Sequence, residues 1–130
     1  MEYERKVKLK KAAAFDFLGV LAKHDGNSFI SEEVYAQSEP NLDVIAAMHI
    51  LKDYGYKVIV YSTLADEIVR EYCLKHKIPV DEINNNSDYK TGNMGKPVAS
   101  VYVDDRALQY SGQTPEELSK QIINFKPYWK

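Results

Sequence analysis

Three apolar runs in this 130-residue chain end in side chains that can do chemistry. AAAFD ends in Asp16, KVIVY is followed by Ser62 and Thr63, and VYV runs into Asp104 and Asp105. Lys96, in GKPVAS, stands just ahead of the last run. Adjacent carboxylates repel each other, so Asp104-Asp105 wants a cation or a basic partner. A hydroxyl in the position of Ser62 either holds a phosphoryl oxygen or caps the following helix, and Thr63 is placed to act as that cap. Lys96 carries the charge that an anionic cluster needs. Each residue also has an ordinary alternative: a turn or cap for Asp16, a surface loop for the acid pair, solvent for the lysine. Their order along the chain, Asp, hydroxyl, Lys, Asp-Asp, says more than any one of them.

The elements that must position them follow from the pattern of apolar residues. AAAFDF (12–17), KVIVYST (57–63) and ASVYVDD (99–105) read as buried strands, the second β-branched enough to be covered on both faces. Val44, Ile45, Met48 and Leu51 lie on one helical face between Pro40-Asn41 and Gly55. Leu64, Ile68, Val69, Tyr72 and Cys73 form the stripe of a second helix, with Lys75, His76 and Lys77 near its negative end. TPEEL (114–118) sets a capping threonine, a proline at the first helical position and Glu117 at the third, which predicts a helix to about Asn124. Residues 19–38, with HDGN at 24–27, read as a small hairpin or flap, and 78–95 as a less regular section. Strands alternating with helices predict a three-layer α/β/α sandwich around a mostly parallel, Rossmann-like sheet, in one domain spanning 1–130. Such sheets gather ligands at the carboxyl ends of their strands, where Asp16, Ser62, Asp104 and Asp105 fall.

FDFLGVL, KVIVYST, GKP and VYVDDRA together resemble the haloacid dehalogenase superfamily of phosphatases and phosphotransferases over nearly the whole chain. GKPVASVYVDDRA is the most specific stretch and is similar to the lysine-to-DDR segment of small members without a cap domain. A phosphoacceptor receiver domain would carry its acid pair on the first strand and its lysine after the last, the reverse of what stands here. The resemblance implies that Asp16 is a nucleophile forming an aspartyl phosphate. It implies Mg²⁺ held by Asp16, the main-chain oxygen of Leu18 and Asp104, with Asp105 nearer an outer shell. Ser62, with Thr63 beside it, would hold the phosphoryl group, and Lys96 would neutralise the carboxylates and phosphate.

FDFLGVL departs from the family's aspartate-x-aspartate-glycine-threonine in one decisive place. Leu18 replaces the second aspartate, which protonates the leaving oxygen and then activates water. General acid–base help is worth roughly 10²–10⁴ in rate, so conventional alkyl-phosphate hydrolysis should suffer by that amount. Val20 stands where threonine is usual, and Leu64 where arginine is frequent. Three outcomes stay open: good leaving groups such as acyl phosphates, a slowly hydrolysing phosphoenzyme, or a pocket kept for binding alone. His24 or Asp25 on the flap offers a substitute proton donor. Neither stretch between the motifs is long enough for a cap, which suits a bulky or macromolecular phosphorylated substrate, or closure by a neighbouring subunit.

Composition narrows the field further. With 45% hydrophobic and 28% charged residues and a formal net charge of −2, the chain has no general field for nucleic acid or anionic membranes. RKVKLKK near the start is locally basic and reads as a solvated edge. One cysteine, Cys73, excludes an internal disulfide and a thiolate metal cluster, and a reducing, cytoplasmic setting is expected. No apolar run reaches membrane-spanning length. Arg106 is expected in a salt bridge to the acid pair, with reach to a substrate phosphate as its alternative, and His49 and His76 in structural roles. Asn84–Asn86 are expected in a polar loop or at the site entrance, and the terminal PYW in packing or docking a partner.

Overall fold

The β-branched run KVIVY and the small-residue run AAAFD pair side by side and form the centre of a parallel sheet. A computed structural model describes residues 10–24, 37–89, 91–92 and 95–130. Four strands, β1 (Ala12–Asp16), β2 (Lys57–Tyr61), β3 (Glu82–Ile83) and β4 (Val101–Val103), form one sheet in the order β3-β2-β1-β4. Every pairing is parallel, with Asp16 in register with Tyr61 and Phe15 with Val103. The predicted Rossmann-like α/β architecture is therefore present, and the carboxyl ends of β1, β2 and β4 lie side by side.

Alternation along the strands explains which residues are buried where. Ala13 and Phe15 of β1, with Val58 and Val60 of β2, face one core cluster. Against them pack Ile45 and Met48 of α1 (Leu42–Asp53) and Val69, Tyr72 and Cys73 of α2 (Asp66–Lys75). Ala12, Ala14 and Ile59 point to the other face, with Tyr61, Ala99 and Tyr102 packed beside them. Residues buried on both faces make the central strands read as continuous apolar runs. Each large core side chain contributes about 1.5–3 kcal/mol of transfer free energy. Burial pushes the Cys73 thiol up to about 11, so it packs as a neutral, unreactive group.

The helix ends follow local chemistry, with one correction. Asn41 caps α1 by accepting from the Val44 N–H at 3.4 Å, and Gly55, at φ +83°, carries the left-handed turn that ends it. In α3 (Pro115–Ile123), Thr114 and Glu117 complete the expected capping box. Thr63 does not cap α2. The strand stops at Tyr61, Ser62 and Thr63 belong to the following turn, and the helix starts after Ala65, which makes no side-chain cap bond. The turn is closed by Ser62, whose Oγ accepts from the Leu64 N–H at 3.0 Å. Two other elements differ from the sequence reading: β4 keeps only VYV of the predicted 99–105, and the irregular section contains β3. Most of the predicted flap, including HDGN beyond His24 and with it Asp25, lies outside the described residues, as does most of RKVKLKK.

Candidate active site

Strand geometry alone brings the acids together. Asp16 ends β1, and β4 lies beside it, so the two residues that leave β4 arrive over the same edge. One carboxylate oxygen from each of Asp16, Asp104 and Asp105 lies within 4.8 Å of the others. Three negative charges at that spacing cannot all persist in a half-buried site. Burial, a hydrogen bond with Asp105, and repulsion from Asp104 and Asp105 push Asp16 up to about 8. Among the described residues, no Lys or Arg side chain forms a salt bridge with any of the three.

Neutral donors hold the cluster in place instead. The Tyr61 hydroxyl donates to Asp104 Oδ2 at 2.8 Å, and the Arg106 backbone N–H donates to Asp104 Oδ1 at 2.8 Å. Burial and the Asp104 carboxylate raise the Tyr61 phenol well above its ordinary range, so it remains a donor. The Trp129 indole N–H donates to Asp105 Oδ2 at 2.6 Å. Arg106 does not make the expected side-chain salt bridge: its guanidinium lies 5.2 Å from the Trp129 ring centroid. Gly19 has φ +81°, and a Cβ built there would lie 2.7 Å from Asp105 Cγ, so only glycine fits beneath this carboxylate.

A cavity of about 900 Å³ opens above the acids. Asp16, Leu18, Ser62, Thr63, Lys96, Asp104 and Asp105 all line it, so the residues expected to serve catalysis, phosphate and metal reach one space. Ser62 is braced from behind: its N–H donates to Asn84 Oδ1 at 2.8 Å, while Asn84 Nδ2 donates to Asp66 Oδ1 at 2.6 Å. Asn84 sits at φ +54° to do this. Lys96 holds its ammonium 3.9 Å from the Tyr102 ring centroid, a cation–π contact at the cavity wall. Leu18 both lines the cavity and packs on the core, whereas Val20 is buried. His24 also lines the cavity, its ring stacked at 3.6 Å on Trp129.

Tyr61, Gly19 and Trp129 were not singled out as site residues from the sequence, whereas Asn84 is expected there in a polar loop with the site entrance as its alternative, and it does line the cavity. Asn84 had a usable signal, because asparagine tolerates the left-handed region and NNN follows a strand. Tyr61 is visible only once register places it beside Asp16, and Trp129 only once the chain end is seen against Asp105.

No family model matches the chain, and no curated protein does. Solved structures do. A chain of the Pnkp1/Rnl/Hen1 RNA repair complex is 25% identical, with a TM-score of 0.56 over 75% of this chain and 37% of that one. A second Pnkp1/Rnl/Hen1 complex matches at 19% identity and TM-score 0.52, over 76% of this chain and 48% of its own. The shared fold is Rossmann-like α/β. A conserved protein from Bacteroides thetaiotaomicron has it too, at 20% identity and TM-score 0.55, over 88% of this chain and 90% of that one. The chain thus spans less than half of the RNA-repair chains and nearly all of the Bacteroides protein.

Proposed function

We propose that this chain is a phosphohydrolase or phosphotransferase of the haloacid dehalogenase type, working through an aspartyl phosphate on Asp16. The observation that carries this reading is the meeting of Asp16, Asp104 and Asp105 within 4.8 Å at the edge of a cavity that Ser62 and Lys96 also line. The donor set fits Mg²⁺, which prefers carboxylate and carbonyl oxygens and retains waters. Three crowded carboxylates with no basic side chain paired to them among the described residues also fit a cation. Asp16, the Leu18 main-chain oxygen and Asp104 would hold it, with Asp105 behind. Bound there, Mg²⁺ would shield the approach of a phosphate to a carboxylate and stabilise charge on the transferring group.

The chain's own residues supply the rest. Asp16 attacks phosphorus in line, so its oxygen–phosphorus bond forms as the bond to the leaving oxygen breaks. Ser62, held by Asn84, donates to a phosphoryl oxygen. Thr63 lies on the same wall, and Lys96 leaves the Tyr102 ring to meet the phosphate charge. Leu18 has no proton to give, so substrates whose leaving group needs none are favoured: acyl phosphates and anhydrides. The open cavity suits a bulky phosphorylated substrate. Likeness to a chain from an RNA repair complex makes a phosphorylated polynucleotide end one such substrate to try.

Leu18 also supports a second reading, a phosphate- or partner-binding domain without turnover. A Mg²⁺-dependent assay on an acyl phosphate and an aryl phosphate, with Asp16→Asn as control, separates the two. We expect acyl-phosphate turnover that disappears in Asp16→Asn and a much slower aryl reaction. Equal traces for both proteins would leave only the binding reading.

A further inference from the structure

We infer that Trp129 is a positioning residue for the carboxylate cluster, orienting Asp105 toward the cation site. The inference rests on the metal-dependent reading above. Trp129 is the only tryptophan in the chain, and it lies 24 residues beyond the carboxylate it contacts. Its indole N–H donates to Asp105 Oδ2 at 2.6 Å. That bond takes up one Asp105 oxygen and leaves the other for Asp16 or for a metal-bound water. Outer-shell bonds of this kind orient the groups nearer a metal.

The indole is itself held by two neighbours. The His24 ring stacks on it at 3.6 Å with the planes 9° apart, and the Arg106 guanidinium lies 5.2 Å from its centroid. Next to it, the Tyr128 hydroxyl donates to the Gly19 carbonyl at 2.5 Å. Gly19 belongs to the turn that follows Asp16, and the missing Cβ there is what lets Asp105 and Trp129 approach: a Cβ would lie 3.2 Å from the indole nitrogen. Residues 128 and 129 therefore fasten the chain end to both acidic motifs at once. A tryptophan serving only as packing would not need its single polar atom on a carboxylate of the site.

The test uses the full chain and Mg²⁺ alone. Calorimetric titration compares wild type with Trp129→Phe, which keeps an aromatic ring against His24 and loses the donor. We expect Mg²⁺ to bind Trp129→Phe about 10- to 100-fold more weakly, the range typical of lost outer-shell bonds. Melting without metal serves as the control for a merely structural role, and the affinities are compared at a temperature where both proteins are folded. In wild type, fluorescence excited at the indole reports Trp129 alone, and its emission should change saturably along the calorimetric isotherm. Equal affinities for the two proteins would overturn the inference and leave the metal site standing. If wild type binds no Mg²⁺, the metal reading fails and takes the inference with it. Should Trp129→Phe not fold, wild-type emission decides: a saturable change supports the inference and a flat response overturns it.

Discussion

Asp16→Asn should make the metal-free protein more stable at alkaline pH, by an amount the site geometry sets. Asparagine matches the protonated carboxyl in shape and can still donate to Asp105, but it cannot ionise. In the folded wild type Asp16 is pushed up to about 8 from an ordinary 3.8. Between those values the unfolded chain has lost the proton and the folded chain keeps it, so stability falls as pH rises, by up to about 1.4 kcal/mol per unit. Below pH 3.8 the contribution is complete; above pH 8 it is gone. The interval of about four units sets a ceiling of roughly 6 kcal/mol. The cavity admits water, and Asp16 is hydrogen-bonded to Asp105, so about half of that is expected, near 3 kcal/mol.

The assay is urea unfolding followed by far-ultraviolet circular dichroism at pH 5, 7 and 9, with a chelator present. Asp16→Asn should gain on wild type from pH 5 to about 8 and level off beyond it, and added Mg²⁺ should narrow the gap by stabilising the wild type. Mg²⁺ binding near pH 7 should also release close to one proton, measurable from the buffer dependence of the calorimetric heat. A stability difference that stays constant from pH 5 to 9 would refute the argument that these carboxylates crowd one another.

Two other perturbations probe neighbouring parts of the site. Leu18→Asp supplies a proton donor at the cavity wall, and aryl-phosphate hydrolysis measured with Mg²⁺ should rise about 100-fold, the lower end of what acid–base help provides, despite lost core packing. No gain in a folded, Mg²⁺-binding variant would show that Val20 or Leu64 also limits the chemistry. Asn84→Ala removes the brace behind Ser62 and places a Cβ residue without a side-chain amide at φ +54°. Thermal or urea unfolding should show a loss of about 1–3 kcal/mol, and the KM for a phosphate ester should rise more than kcat falls.

Legibility in the sequence tracked the range of the interaction. β1, β2 and the faces of α1 and α2 were readable because burial on a sheet or helix face repeats every two or every three to four residues. The Thr114–Glu117 box was readable because both of its bonds lie within one turn. Thr63 misled: a hydroxyl before a helix looks like a cap, but the turn that closes on Ser62 Oγ delays the helix to Asp66. β3 is two residues long and has no period to detect. The candidate site was legible only as far as the ends of strands. Asp16, Ser62, Lys96, Asp104 and Asp105 line one cavity as the alternation of strands and helices requires. The groups that hold them, Tyr61, Asn84 and Trp129, act across 43, 22 and 24 residues of chain. For Tyr61 and Trp129, contacts at that separation leave no local pattern; Asn84 carried only the local signal of an asparagine run.

Leu18 then takes on a meaning that depends on Asp16. In the proposed reaction a protonated Asp16 would be inert, and with its carboxyl pushed up to about 8 Asp16 keeps its proton at neutral pH while three carboxylates share the edge of the sheet. Positive charge arriving at the cluster is what would release that proton, so on the proposed mechanism activation of Asp16 and loading of the site would be one event. A second carboxylate at position 18 would add a fourth negative group to the same cavity and press Asp16 further toward the neutral form when no cation is present. Leucine removes that burden along with the acid–base function. On the proposed mechanism, the site would retain what is needed to form a bond to phosphorus and lack what is needed to expel a poor leaving group. A comparison of leaving groups reads this directly: logarithms of kcat/KM across aryl phosphates of falling phenol pKa should climb steeply in wild type and flatten in Leu18→Asp. Parallel slopes for the two proteins would mean that position 18 takes no part in proton transfer.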